Sequence, residues 1–210
     1  MARMRRIKRN PESRNYFVVD ACFMGNKYIP PRLAPNQHER RRIERCLEWW
    51  EEIDDQLGRD KARVFIPDIC IAETFKVLAK KYFKDHWFTS AAQLNYYRGK
   101  LRGDLVTPPK EMRKFSRSVR YHDISTSRDI IISVDRYFEL FFTHNLDVSL
   151  PDLIILATAK YLMDFYDIPR ANLHIVTLDY SLWLGSKEAQ DLPNAYDPTK
   201  PGDKRDRVFE

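Results

Sequence analysis

The strongest constraint in this chain is the run Tyr16-Phe17-Val18-Val19, which stops abruptly at Asp20. Four consecutive apolar, β-favouring residues are too few for a helix but suit a strand covered on both faces, as at the centre of a parallel sheet. An acid at the carboxyl end of such a strand sits where open α/β sheets place their ligands, in the crevice beyond the strand ends. The sequence thus predicts an α/β fold with Asp20 at its working edge, and the question becomes what meets it there.

Three other stretches return to that edge. Arg63-Val64-Phe65-Ile66 reads as a strand, and Pro67 then opens a helix that carries Ile69, Ala72, Leu78 and, within its first two turns, Glu73. Ser149-Leu150-Pro151-Asp152 reads as the start of a second helix, where an acid is favoured by the helix dipole. Asp152 shares a face with Ile155, Leu156 and Ala159, and a carboxylate beside a core needs a partner. Leu173 to Thr177 reads as the last strand, ending at Asp179 much as the first ends at Asp20. Helix followed by strand implies a parallel return, so Asp179 is expected near Asp20.

Between these stretches, Ala21 to Pro35 reads as a loop with Gly25 and three prolines, and Asn36 caps a helix running to about Leu57. Tyr121 to Ile124 is a candidate strand. Arg128 to His144 is apolar enough to predict a buried helix. With 210 residues, 43% of them hydrophobic, one domain is expected over 15–185, between a basic tail (1–14) and a polar tail (186–210). The basic start lacks the apolar core of a secretory signal, and no run is long enough to cross a membrane. Three cysteines without a Cys-x-x-Cys pair suit the reducing cytoplasm. Five scattered histidines offer no His-x-x-x-His pair, and no Gly-rich phosphate loop is present.

A basic insertion is expected at about 84–120. From Lys76 to Arg120 twelve Lys and Arg stand against three acids, a net of +9, interleaved with Tyr82, Phe83, Trp87, Phe88, Tyr96, Tyr97 and Phe115. Cations that neutralise phosphates, plus rings on which unpaired bases stack, are what single-stranded nucleic acid requires. Lys80, Lys84, Arg98, Lys100, Arg102, Arg113, Lys114 and Arg117 are the candidate contacts. The competing reading makes the rings core and the cations a solvated surface.

In order, Val-Val-Asp, Ile-Pro-Asp-Ile-Cys-Ile-Ala-Glu, Leu-Pro-Asp-Leu-Ile-Ile-Leu-Ala-Thr-Ala and Ile-Val-Thr-Leu-Asp together resemble the PIN domain family, which includes ribonuclease toxins of VapC type. The resemblance spans roughly Tyr16 to Trp183. It implies a three-layer α/β/α sandwich around a parallel sheet and an acidic quartet at Asp20, Glu73, Asp152 and Asp179, supported by Thr177. It also implies RNA as substrate. Ala21-Cys22 and Ser181 depart from the family's pattern.

The residues carry a physical argument of their own. Two carboxylates about 4 Å apart repel by roughly 4 kcal/mol at an effective dielectric of 20, so four in one crevice call for a cation. All-oxygen donors suit Mg²⁺ or Mn²⁺, and such ions also bind phosphate oxygens. The expectation is a metal-dependent endoribonuclease, with RNA, an antitoxin protein and a second copy of the chain as candidate partners. The alternative is a catalytically weak or inactive PIN-like module that binds RNA or serves as a scaffold. On repulsion alone, Asn at position 20 or 152 should leave the metal-free fold intact and more stable.

Overall fold

A computed structural model describes residues 14–105, 121–188, 191–200 and 206–209. Five strands, β1 (Asn15–Val19), β2 (Ala62–Pro67), β3 (Tyr121–Ile124), β4 (Leu173–Val176) and β5 (Asn194–Tyr196), form one sheet in the order β3-β2-β1-β4-β5. Every neighbouring pair is parallel, which makes the fold an α/β sandwich. β1 is indeed central. Phe17, Val18 and Val19 are fully buried because helices cover the strand and β2 and β4 flank it.

The helices are α1 (Ala21–Lys27), α2 (Gln37–Gly58), α3 (Asp68–Phe83), α4 (Ala91–Leu105), α5 (Arg128–Thr143), α6 (Leu150–Phe165), α7 (Tyr180–Glu188) and α8 (Asp206–Phe209). Their starts follow local chemistry. Asn36 Oδ1 accepts from Glu39 N at 2.9 Å to cap α2, and Ser127 and Ser149 cap α5 and α6 through their hydroxyl oxygens. α2 buries Ile43, Cys46, Trp50 and Ile53 as one stripe. Trp50 stacks on Phe23 of α1 with ring centroids 4.7 Å apart, and its indole N–H donates to Phe23 O at 3.2 Å, which fixes α2 against α1. No helix among the described residues is long and apolar enough to cross a membrane.

Four sequence expectations change. The stretch expected as a loop after Asp20 contains α1, because Asp20 itself caps it. The stretch expected as a polar tail contributes β5 to the sheet and the buried Val208 of α8 to the core. α5 buries only Ile130, Val134, Tyr137 and Phe141, leaving Ile131, Ile132 and Phe142 exposed, since one stripe of a helix suffices to meet its neighbours. Trp87, Phe88 and Tyr97 of the basic stretch are core residues, and Lys81 lies 3.3 Å over the Trp87 ring while pairing with Asp85 at 3.1 Å.

One glycine is held by a close approach. A methyl at Gly185 of α7 would overlap the ring of Phe141, which is fully buried and has nowhere to swing. Gly185→Ala should cost about 1–3 kcal/mol, as overpacking of a filled core does. A thermal melt should show a fall of roughly 2–4 °C per kcal/mol.

Candidate functional site

The chain leaves β1 for β2 and β3 on one side of the sheet, then crosses to β4 and β5 on the other. The carboxyl ends of β1 and β4 therefore flank a topological switch point, the place where open α/β sheets form a crevice. A crevice of about 340 Å³ lies there, lined by Asp20, Glu73, Asp152 and Asp179 together with Cys22, Arg42 and Ser149. The four acids expected from sequence thus come from four separate parts of the chain to one opening. A larger hollow of about 580 Å³ beside Phe83 and His86 holds no carboxylate, so it offers no comparable chemistry.

Asp20 is the fixed member. It is 4% exposed, and its carboxylate is held by three donors. Oδ1 accepts from Phe23 N at 2.5 Å, while Oδ2 accepts from Thr177 Oγ1 at 2.6 Å and Leu178 N at 2.9 Å. Burial nevertheless raises its pKa above the ordinary carboxylate value, opposed by those three hydrogen bonds and reinforced by Asp179. Thr177 Oγ1 also accepts from Asp179 N at 2.9 Å, so one hydroxyl joins two of the acids.

Asp179 caps α7 by accepting from Leu182 N at 2.7 Å. Asp152 stands in the first turn of α6, where Ser149 Oγ donates to its Oδ2 and accepts from its backbone N. Burial first, then the charges of Asp179 and Asp20, push Asp152 up to about 6 against the Ser149 hydrogen bond. Glu73, half-buried on α3, faces Lys76 at 4.0 Å. The buried thiol of Cys70 registers the shared field: burial raises its pKa most, and Asp20, Glu73 and Asp152 each add to the rise.

Among the described residues Arg42 of α2 is the one basic residue in the lining, and it was not singled out from the sequence. It forms a long ion pair, 3.9 Å to Glu39. The signal that could have found it is its position one turn before the buried Cys46, on the edge of the apolar stripe.

The four carboxylates fit a hard divalent ion in their chemistry, and the Cys22 thiol beside them, pushed up to about 12 chiefly by burial, is kept from the thiolate form that would bind a soft one. In spacing the set is open: among the described residues no three His, Cys, Asp or Glu side chains stand close enough to hold a metal ion. The acids share a field without sharing a coordination sphere. Of the expected nucleic-acid contacts, Lys80, Lys84, Lys100 and Arg102 are exposed and Arg98 is half-buried, whereas Arg113, Lys114 and Arg117 lie outside the described residues. Lys100 sits 4.9 Å over Tyr96, and the Arg102 guanidinium 5.5 Å from the Phe75 ring.

The architecture is that of known α/β proteins. The fold resembles a chain of the crystal structure of FitAcB from Neisseria gonorrhoeae, with a TM-score of 0.50 and 15% identity over 87% of this chain and 97% of that one. It equally resembles a chain of FitAB bound to an IR36 DNA fragment, with a TM-score of 0.50 and 14% identity over 87% of this chain and 94% of that one. No family model matches the chain, and neither does any curated protein. Membership of the PIN family, expected from the four short motifs, is therefore corrected: the findings give a likeness of fold to chains of the FitAcB and FitAB structures, not that family. The physical reason is that a strand ending in an acid and a helix opening with Pro-Asp are general products of parallel α/β geometry.

The geometry separates two substitutions that repulsion alone would equate. The folded protein holds the Asp152 proton more tightly than the unfolded chain does, so its contribution falls as pH rises from 3.8 to about 6 and then stays low. In EDTA, Asp152→Asn should therefore melt higher at pH 7, by on the order of 1–3 kcal/mol of stability, with the gain vanishing below about pH 4. Asp20→Asn should show no such gain. Both Asp20 oxygens accept backbone N–H groups, and an amide sets a donor against one of them whichever way it is turned.

Proposed function

We propose that this protein is a metal-dependent phosphodiester hydrolase acting on RNA, with Mg²⁺ or Mn²⁺ as cofactor. What supports the reading is the meeting of Asp20, Glu73, Asp152 and Asp179 at the switch point of a parallel sheet, with Arg42 in the same lining. Asp20, immobilised by Phe23 N, Thr177 Oγ1 and Leu178 N, fixes the position of one oxygen-rich end of the crevice. Asp152 has a pKa near the working range, so its Oδ1, which Ser149 does not engage, is suited to take a proton from attacking water. The Arg42 guanidinium, in the same lining, offers a phosphate two parallel donors. A bound divalent ion would neutralise the acids and stabilise charge growing on the phosphate.

An antitoxin-type protein that covers the crevice belongs to the same reading, in keeping with a fold shared with chains of FitAcB and DNA-bound FitAB. A second reading, a non-catalytic RNA-binding or scaffold module, is favoured by one observation: the acids are too far apart, as they stand, for three to hold one ion.

Incubation with Mn²⁺ and unstructured RNA, beside a DNA of the same sequence, separates the two. Hydrolysis by the wild type, slowed about 100-fold or more in Asp152→Asn and in Asp179→Asn, is the expected result. RNA bound equally by all three proteins and cut by none would establish the module instead.

A further inference from the structure

Of the rings that composition offered for base stacking, Trp87, Phe88 and Tyr97 are spent on the core, and exposed Tyr96 stands on α4, which contributes no residue to the crevice lining. Phe83 is exposed, but it stands ten residues beyond Glu73, on the order of 15 Å along α3. A different aromatic pair lies next to the acids. Tyr180 follows Asp179 directly in the chain and is 55% exposed. It packs against Trp183, one turn on in α7, with ring centroids 5.8 Å apart and planes tilted by 35°.

Two cations converge on this pair from different elements. Lys187, a turn further along α7, places Nζ 3.5 Å over the Trp183 ring. Lys200 comes from beyond β5, its Nζ 5.3 Å from the Tyr180 ring and 5.6 Å from that of Trp183. Its position is built. Asp197, 4% exposed, accepts from Thr199 N at 2.8 Å and Thr199 Oγ1 at 2.7 Å through Oδ1, and its carbonyl accepts from Lys200 N at 3.0 Å. A buried carboxylate thus shapes the turn that brings Lys200 to the rings. The same strand end is tied to the acidic edge, because Thr177 N donates to Tyr196 O at 3.0 Å.

We propose that Tyr180 and Trp183, flanked by Lys187 and Lys200, form a stacking subsite for an unpaired nucleobase whose phosphates the two lysines neutralise. It rests on the reading of the crevice as a site for RNA, and it names the substrate class as single-stranded. A flat exposed ring one residue from a crevice acid can hold the base of a nucleotide adjoining the scissile phosphate. The lysines add positive charge beside a crevice whose own acids repel the backbone. A base inside a duplex has no free face to offer the ring, so a paired strand gains nothing from it.

The test is binding of a fluorescein-labelled single-stranded RNA decamer, read by anisotropy with Ca²⁺ in place of Mg²⁺, so that turnover is not needed for a signal. Tyr180→Ala should weaken binding about tenfold, whereas Tyr180→Phe, which keeps the ring, should stay within about twofold of the wild type. Trp183 emission should be quenched as the wild type is titrated. Lys200→Gln should reduce the salt slope of the affinity by about one. The same RNA annealed to its complement should bind Tyr180→Ala and wild type alike.

Equal single-strand affinity of Tyr180→Ala and wild type, at equal melting temperature, overturns the subsite. So does a loss in Tyr180→Phe as large as that in Tyr180→Ala, or an absence of single-strand binding by the wild type. Failure to cleave RNA in Mn²⁺, with Tyr180-dependent binding intact, would instead sink the hydrolase reading and leave the subsite standing.

Discussion

A single buried carboxylate holds the working edge of this fold together. Asp20 ends β1, caps α1 through Phe23 N, and accepts from Thr177 and Leu178 just past β4. Hydrogen bonds to an ionised carboxylate are about twice as strong as neutral ones, and these three fix two neighbouring strand ends and a helix start relative to one another. Without an acceptor at that point, the buried N–H of Phe23 and the partly buried N–H of Leu178 would lose their partner. The local structure and the candidate chemistry therefore depend on the same side chain.

That arrangement has an electrostatic consequence. Burial first, then Asp179, raise the pKa of Asp20, and burial first, then Asp179 and Asp20, raise that of Asp152. Thr177 moderates this by donating to Asp20, which lowers its pKa, while accepting from Asp179 N, which ties the two residues together. A crevice that resists its own full ionisation is primed for a cation or a proton. It repels a bare phosphate, and Arg42 supplies the opposite sign within the lining.

Sequence pattern revealed the frame and missed the trimmings, for physical reasons that can be named. β1, β2 and β4 were legible because strands flanked on both sides in a parallel sheet are dominated by apolar residues, and Asn36 announced α2 through capping chemistry. Asp20, Asp152 and Asp179 stood out because they follow strands or open a helix, whereas Glu73 lies in the second turn of α3. β5 was not: Asn194-Ala195-Tyr196 is three residues long and half polar, and pairs on one side only. α1 was hidden by Gly25, whose missing side chain lets Val77 of α3 approach to 3.0 Å of where a Cβ would stand. The family resemblance failed differently. Its motifs record the geometry of a parallel sheet, and that geometry belongs to more than one family.

Aromatic composition shows the same limit from the other side. Rings rich in a basic stretch read as a nucleic-acid surface, yet in that stretch Trp87 and Tyr97 fill the core and Lys81 covers Trp87 from within. Burial decides which rings can meet a ligand, and burial follows tertiary packing that no local count contains. The turn after β5 illustrates how that packing acts. Asp197 is far in sequence from the first acid, but the register of β4 with β5 puts it at the same sheet edge, and the turn it anchors delivers Lys200 to the rings that follow Asp179. A short edge strand in a polar stretch thereby joins the acidic crevice to the cations beside it.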